Sequence, residues 1–106
     1  MRADEQKTLF KRWLDEHKGL MFKIVRAYGT TREDQDDLFQ EILLQLWRSI
    51  PGFNGKCSEP TWIYRVGLNT ALIWRREKTR KRKKQHILLD LTQQSYIEQD
   101  LSLIHI

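Results

Sequence analysis

The sequence predicts an all-α fold: a compact bundle of three to four helices with a long basic C-terminal helix and an irregular tail. Three observations carry that prediction. Apolar residues recur at three- and four-residue steps in three successive segments. Strand-type alternation appears nowhere in the sequence. Helix punctuation separates the segments, at Gly29, at Pro51-Gly52 and at Pro60. With 106 residues and 40% hydrophobic content, the chain can bury one core but hardly two. One small domain is therefore expected over residues 1–84, followed by a linker or truncated tail over 85–106.

The first helical strip consists of Phe10, Trp13, Leu14, His17, Met21, Val25 and Tyr28. Gly19 is a place for this helix to bend, and Gly29 is placed to end it with a left-handed cap, a conformation that costs glycine little. In the next segment Thr31, with Asp34 three positions on, has the capping-box arrangement. Acids crowd the first turns there, where the helix dipole favours negative charge. Leu38, Phe39, Ile42, Leu43, Leu46, Trp47 and Ile50 then make a wide apolar face, and Pro51-Gly52 stops the helix.

The stretch "GFNGKCSEP", residues 52–60, holds two glycines and a proline and reads as a loop. From Pro60, suited to a first helical turn, Trp62, Ile63, Val66, Thr70 and Ile73 give another buried strip. It runs into "WRREKTRKRKK", residues 74–84. After Lys84, "QHILLDLTQQSYIEQDLSLIHI" has no Lys or Arg and no clear cap. Its last six residues look like a translated sequencing adapter, which would make 101–106 an artefact.

Charge is segregated along the chain. Eight cations and one acid give residues 75–84 a charge of +7, whereas the whole chain carries +5, so the remainder sums to −2. A mildly acidic body with one intensely basic element suits a polyanion on one face and a different partner on another. Cys57 is the single cysteine, so no internal disulfide can form and a cytoplasmic location is expected. No apolar run approaches the ~20 residues that cross a bilayer, and "MRADEQK" lacks the apolar segment of a secretory signal.

Catalytic signals are weak. His17, His86 and His105 are far apart and lack metal-ligand spacing with Cys57, and no glycine-rich phosphate loop or nucleophile motif is present. His17, in the first apolar strip, reads as a satisfied core or boundary residue rather than a ligand. The expectation is a protein that is not an enzyme and carries neither metal nor cofactor.

Two constellations suggest binding. On a helix, Arg65, Asn69, Leu72 and Arg76 share one strip that leads into the cluster from Arg80 to Lys84. Cations displace counterions from phosphates, and Asn or Arg can bond base edges. Trp62, Tyr64 and Trp74 flank the strip and Phe53 lies in the preceding loop, so stacking on unpaired bases is available. Trp62 fits the core as well as it fits stacking, whereas Tyr64 reads more readily as exposed. The second constellation is Asp37, Gln40, Glu41 and Leu44, displaced from the broad apolar face. Dipole pairing accounts for Glu33 and Asp34 but poorly for Glu41, about two turns further in. A face mixing carboxylates, an amide and apolar neighbours suits a basic protein partner. The plain alternative in both cases is a solvated charged face.

The segments "DQDDLFQEILLQLWRSIPGF" and "PTWIYRVGLNTALIWRREKTR" resemble region 2 of the ECF-type (extracytoplasmic function) sigma factors, small promoter-recognition subunits of bacterial RNA polymerase. Members show an acidic cluster leading into a Leu-x-Gln-Glu core, then a Trp-Leu-Tyr-Arg-Ile stretch, an Asn and an Arg-rich helix end. The likeness runs from Leu9 to Lys84.

The resemblance implies that Asp37, Gln40 and Glu41 bind the clamp helices of the polymerase β′ subunit. It implies that the loop from Phe53 to Glu59, including Asn54 and Lys56, forms the specificity loop. On that resemblance the loop, with nearby helix residues, would pocket a base flipped from the non-template strand of the minus-ten element. Trp62, Tyr64, Arg65 and Asn69 would act in strand opening and recognition, and Arg75, Arg76, Arg80 and Arg82 would follow the DNA backbone. An anti-sigma factor is a further partner that the resemblance allows.

Three departures bear on that transfer. Leu68 stands where many relatives have a basic residue, and Ile73 stands where they have Asp or Asn, so the resemblance does not fix the exact base preference. A sigma factor of this type also continues into a helix-turn-helix domain, region 4, which reads the minus-thirty-five element. The chain is therefore expected to be truncated before it, binding polymerase and single-stranded minus-ten DNA but initiating poorly. The competing reading is a general basic helical protein that binds DNA or RNA without polymerase, which leaves the acidic strip idle. Peripheral membrane attachment is disfavoured, because the basic cluster lacks an extended apolar face of its own.

Overall fold

The computed structural model describes the backbone of residues 2–104 and the side chains of residues 2–89. Three helices follow one another: α1 (Ala3–Tyr28), α2 (Arg32–Ser49) and α3 (Glu59–Ile104), with a single 3-10 turn at Ile50–Gly52. There is no strand among the described residues, as the absence of alternation predicts. The chain divides into two compact units, Met1–Arg75 and Arg76–Ile106.

The first unit holds the core. Trp13, Met21, Ile24 and Val25 of α1, Leu38, Ile42 and Leu46 of α2, Ile50 of the turn, and Ile63 and Ala71 of α3 are all buried. Seven of these side chains are large and sealed from solvent. Truncating one of them, as in Ile42→Ala, costs about 2–5 kcal/mol at such sites. Edge contacts add to this face, with the Phe10 ring 5.4 Å from Trp47 in a T-shaped pair.

α1 is one helix with a kink, and the kink lies at His17 (φ −121°, ψ 18°), not at Gly19 as the sequence suggests. Gly19 is exposed, with open space where a Cβ would be. His17 lies between the buried anchors Trp13 and Met21. Gly29 ends α1 but is not left-handed: its φ is −89° and ψ 123°. Glycine is needed there for space. A Cβ on Gly29 would lie 2.7 Å from Cγ and 3.0 Å from Cα of Gln35, and 3.0 Å from the Val25 carbonyl.

α2 begins as the cap signal predicts. The Thr31 hydroxyl accepts the Asp34 backbone N–H at 3.0 Å. The reciprocal half of the box is shifted by one residue, because the Asp34 carboxylate accepts from the Thr30 hydroxyl at 3.2 Å. Leu38, Ile42, Leu46 and Ile50 then follow at four-residue steps down the buried side.

α3 meets the other two helices at Gly67, where a Cβ would lie 2.8 Å from Cδ1 of Ile24 and 3.9 Å from Cγ2 of Ile42. The missing side chain permits that approach. Ile63, Thr70 and Ala71 flank Gly67 on the same buried face, and the Thr70 hydroxyl is satisfied by the Val66 carbonyl at 2.7 Å. Ile73 is a correction to the sequence reading: it is 54% exposed. At 100° per residue it turns away from the Ile63–Thr70 face, and Trp74, half-buried, takes that register instead.

The second unit is helical, which corrects the expectation of an irregular tail: α3 runs through Ile104. The chain has no proline after Pro60 and no glycine after Gly67, so nothing breaks a helix already nucleated, and propagation is cheap once nucleation is complete. The adapter-like segment 101–106 lies among residues whose side chains are outside those described.

Candidate docking face and nucleic-acid interface

The acidic strip lies on the surface of α2. Asp37 and Gln40 are exposed, Glu41 is half-buried and Leu44 is 41% exposed. Leu38 and Ile42, on the adjoining face, are sealed in the core. One edge of the helix thus anchors the fold while another presents carboxylates. The Asp37 carboxylate accepts from the Trp74 indole N–H at 2.9 Å, and the Glu41 carboxylate accepts from the Gln45 amide at 3.1 Å. Both donors are neutral, so these bonds orient the carboxylates without cancelling their charge.

Trp74 is therefore a fixed neighbour of the acidic face rather than a ring beside the basic strip. Its register one turn after Thr70 and Ala71 is the signal that could have revealed this.

The loop 53–58 is braced from both sides. Phe53 is half-buried, with its ring 5.6 Å from Trp13 and 5.5 Å from Trp62. Trp62 is also half-buried, and its indole N–H donates to the Ser49 hydroxyl at 3.2 Å. In the loop the Asn54 carboxamide accepts the Lys56 backbone N–H at 3.1 Å, and Gly55 takes φ +77°. That side-chain turn leaves Asn54 and Lys56 exposed at its tip. Ser58 caps α3, since its hydroxyl accepts the Thr61 N–H at 3.3 Å.

Sequence reasoning missed the bracing residues. Glu59 accepts from the Arg12 guanidinium at 2.7 and 2.9 Å, one bond to each carboxylate oxygen, and also from the Trp13 indole N–H. Arg12 and Glu59 are 47 positions apart, and no local pattern pairs them.

Along the outward edge of α3, Tyr64 is 45% exposed, and Arg65, Asn69 and Arg75 are exposed with it. Arg65 and Asn69 share one strip, as their four-residue spacing predicts. Arg75 sits to the side, its guanidinium 6.0 Å from the Tyr28 ring centre.

In the second unit Arg76, Arg80 and Arg82 are exposed, as are Lys81, Lys83 and Lys84. Arg76 and Arg80 fall on one side of the helix, whereas Arg82, two residues on, points well away from Arg80. Cations ring this segment instead of lining one edge. It can supply phosphate attraction but not a shaped reading head. Among the described residues no cluster of metal-ligating side chains occurs, and no helix is long and apolar enough to cross a membrane.

The Sigma-70 region 2 family matches residues 13–81. The chain is 37% identical over 71 residues to the ECF RNA polymerase sigma factor SigG of Mycobacterium tuberculosis, covering 66% of this chain and 19% of that protein. It is 30% identical over 82 residues to the ECF RNA polymerase sigma-E factor of Haemophilus influenzae, covering 77% and 41% respectively. With the RNA polymerase sigma factor NccH of Alcaligenes xylosoxydans it shares 25% identity over 86 residues, covering 81% and 44%. The chain thus spans about a fifth of the length of SigG and less than half of the other two. No solved structure matches it.

Proposed function

The chain belongs to the Sigma-70 region 2 family, and from that premise we propose that it docks on core RNA polymerase and holds the opened minus-ten element of a promoter. The site is a binding surface, and the family is one of transcription initiation factors rather than enzymes. The observation that carries the proposal is the division of labour on α2 and α3. Asp37 and Gln40 are exposed on one helix with Glu41 half-buried beside them, while Tyr64, Arg65 and Asn69 are exposed on the other.

The acidic edge would engage the cationic clamp helices of the β′ subunit. Like-charge patches repel and unlike ones steer encounter, so the same edge selects against nucleic acid. DNA would then meet the loop tip at Asn54 and Lys56 and the strip of Tyr64, Arg65 and Asn69. Phe53 and Trp62 contribute mainly by fixing the loop, because their rings are engaged with Trp13 and with each other. Unstacking a base costs a few kcal/mol, which a prebuilt loop and backbone contacts by Arg75, Arg76, Arg80 and Arg82 can offset without ATP. On this reading the protein works in the cytoplasm, and an anti-sigma factor that covers either face would silence it.

The test is competition between single- and double-stranded probes carrying candidate minus-ten sequences, with and without core enzyme. The proposal predicts that core enzyme confers a preference for the non-template single strand. Equal affinity for both probes, unaltered by core enzyme, would contradict it and favour a general basic nucleic-acid binder.

A further inference from the structure

We infer that Leu72 and Ile73 form an apolar reading edge for the 5-methyl group of a thymine beside the base addressed by Asn69. The inference rests on the promoter-strand reading above and extends it to base identity. Residues three and four positions on are the surface neighbours of a helical residue, so Asn69, Leu72 and Ile73 make one contiguous triangle, with Arg65 one turn before it.

All three corners are open to solvent: Asn69 is exposed, Leu72 is 39% exposed and Ile73 is 54% exposed. The core is served by the opposite face, through Ile63, Gly67, Thr70 and Ala71. The two aliphatic side chains are therefore turned outward among polar neighbours of the kind that bond base edges.

The chemistry narrows what such a triangle can recognise. Phosphate and sugar reward cations and hydrogen-bond donors, and the edges of adenine, guanine and cytosine present only donors and acceptors. Thymine alone presents an apolar group, its C5-methyl, which aliphatic side chains contact favourably. An amide next to a branched aliphatic pair thus suits a site containing thymine. It also separates DNA from RNA, since uracil lacks the methyl group.

The experiment uses the full chain bound to core RNA polymerase and a random pool of single-stranded DNA. Selection should enrich thymine at a defined position. Replacing that thymine with deoxyuridine should weaken binding about three- to fivefold, the effect of losing one buried methyl group. The double variant Leu72→Gln, Ile73→Asn, at two exposed positions, should fold and melt like the parent and lose the discrimination between the thymine and deoxyuridine strands.

Strands that bind well but tolerate deoxyuridine at every thymine would overturn the inference while leaving the promoter-strand reading intact. Discrimination that survives in the double variant would overturn the assignment to these residues. Failure of the complex to bind any single strand would sink both.

Discussion

The indole N–H of Trp74 donates to the carboxylate of Asp37 across 2.9 Å, linking α3 to the exposed edge of α2. The bond makes Asp37 serve two ends, as an acceptor that holds Trp74 and as a charge offered to a partner. The two can be separated. Asp37→Asn keeps an oxygen for the indole, so stability should stay within about 0.5 kcal/mol while affinity for core polymerase falls. Asp37→Ala should lose both. Thermal melting paired with a core-enzyme binding assay decides the matter, and equal melting losses in the two variants would contradict the split.

Glu59 is the acceptor on which the loop bracing converges. Glu59→Ala leaves the indole N–H of Trp13 without its acceptor at a fully buried ring, and a stranded buried donor costs about 1–3 kcal/mol. Arg12→Ala removes a pair in which the arginine is half exposed, and such pairs contribute about 1 kcal/mol or less. The expected order of chemical-denaturation stabilities is therefore wild type, Arg12→Ala, then Glu59→Ala. A larger loss for Arg12→Ala would show that the ion pair, not the indole bond, holds the loop.

The ring of cations after Arg75 should act without regard to sequence. Removing Arg80 and Arg82 together is expected to lower the slope of log affinity against log salt by about 0.7 per charge on single-stranded DNA. Base preference should be unchanged. Fluorescence anisotropy over a salt series checks both points, and a changed base preference would mean that these arginines read edges.

Much of the architecture was legible because its causes are local. The Thr31 cap, the four-residue ladder from Leu38 to Ile50 and the Pro51-Gly52 stop are consequences of short-range geometry, and the structure has each of them. What was not legible depends on a neighbour distant in sequence. Gly29 looked like a left-handed cap, but its role is to admit Gln35. Ile73 looked like core because its spacing is near the helical period, yet Trp74 takes that register. Residues 85–104 were expected to be irregular for want of a cap signal, although the absence of glycine and proline was the stronger cue. In the candidate site, the exposure of Asp37, Gln40, Tyr64, Arg65 and Asn69 agrees with the amphipathic pattern. The Arg12–Glu59 brace could not be read from the sequence, since ion pairs between distant segments leave no periodic trace.

The central claim is that an exposed anionic edge on α2 grips a cationic subunit while α3 attends to DNA. Retention of core RNA polymerase by the immobilised variant Asp37→Arg, Glu41→Arg, compared with the wild-type chain, tests it most directly. The account predicts that retention is abolished although the variant keeps its helical circular dichroism and a cooperative melt. Undiminished retention by a folded variant would contradict it.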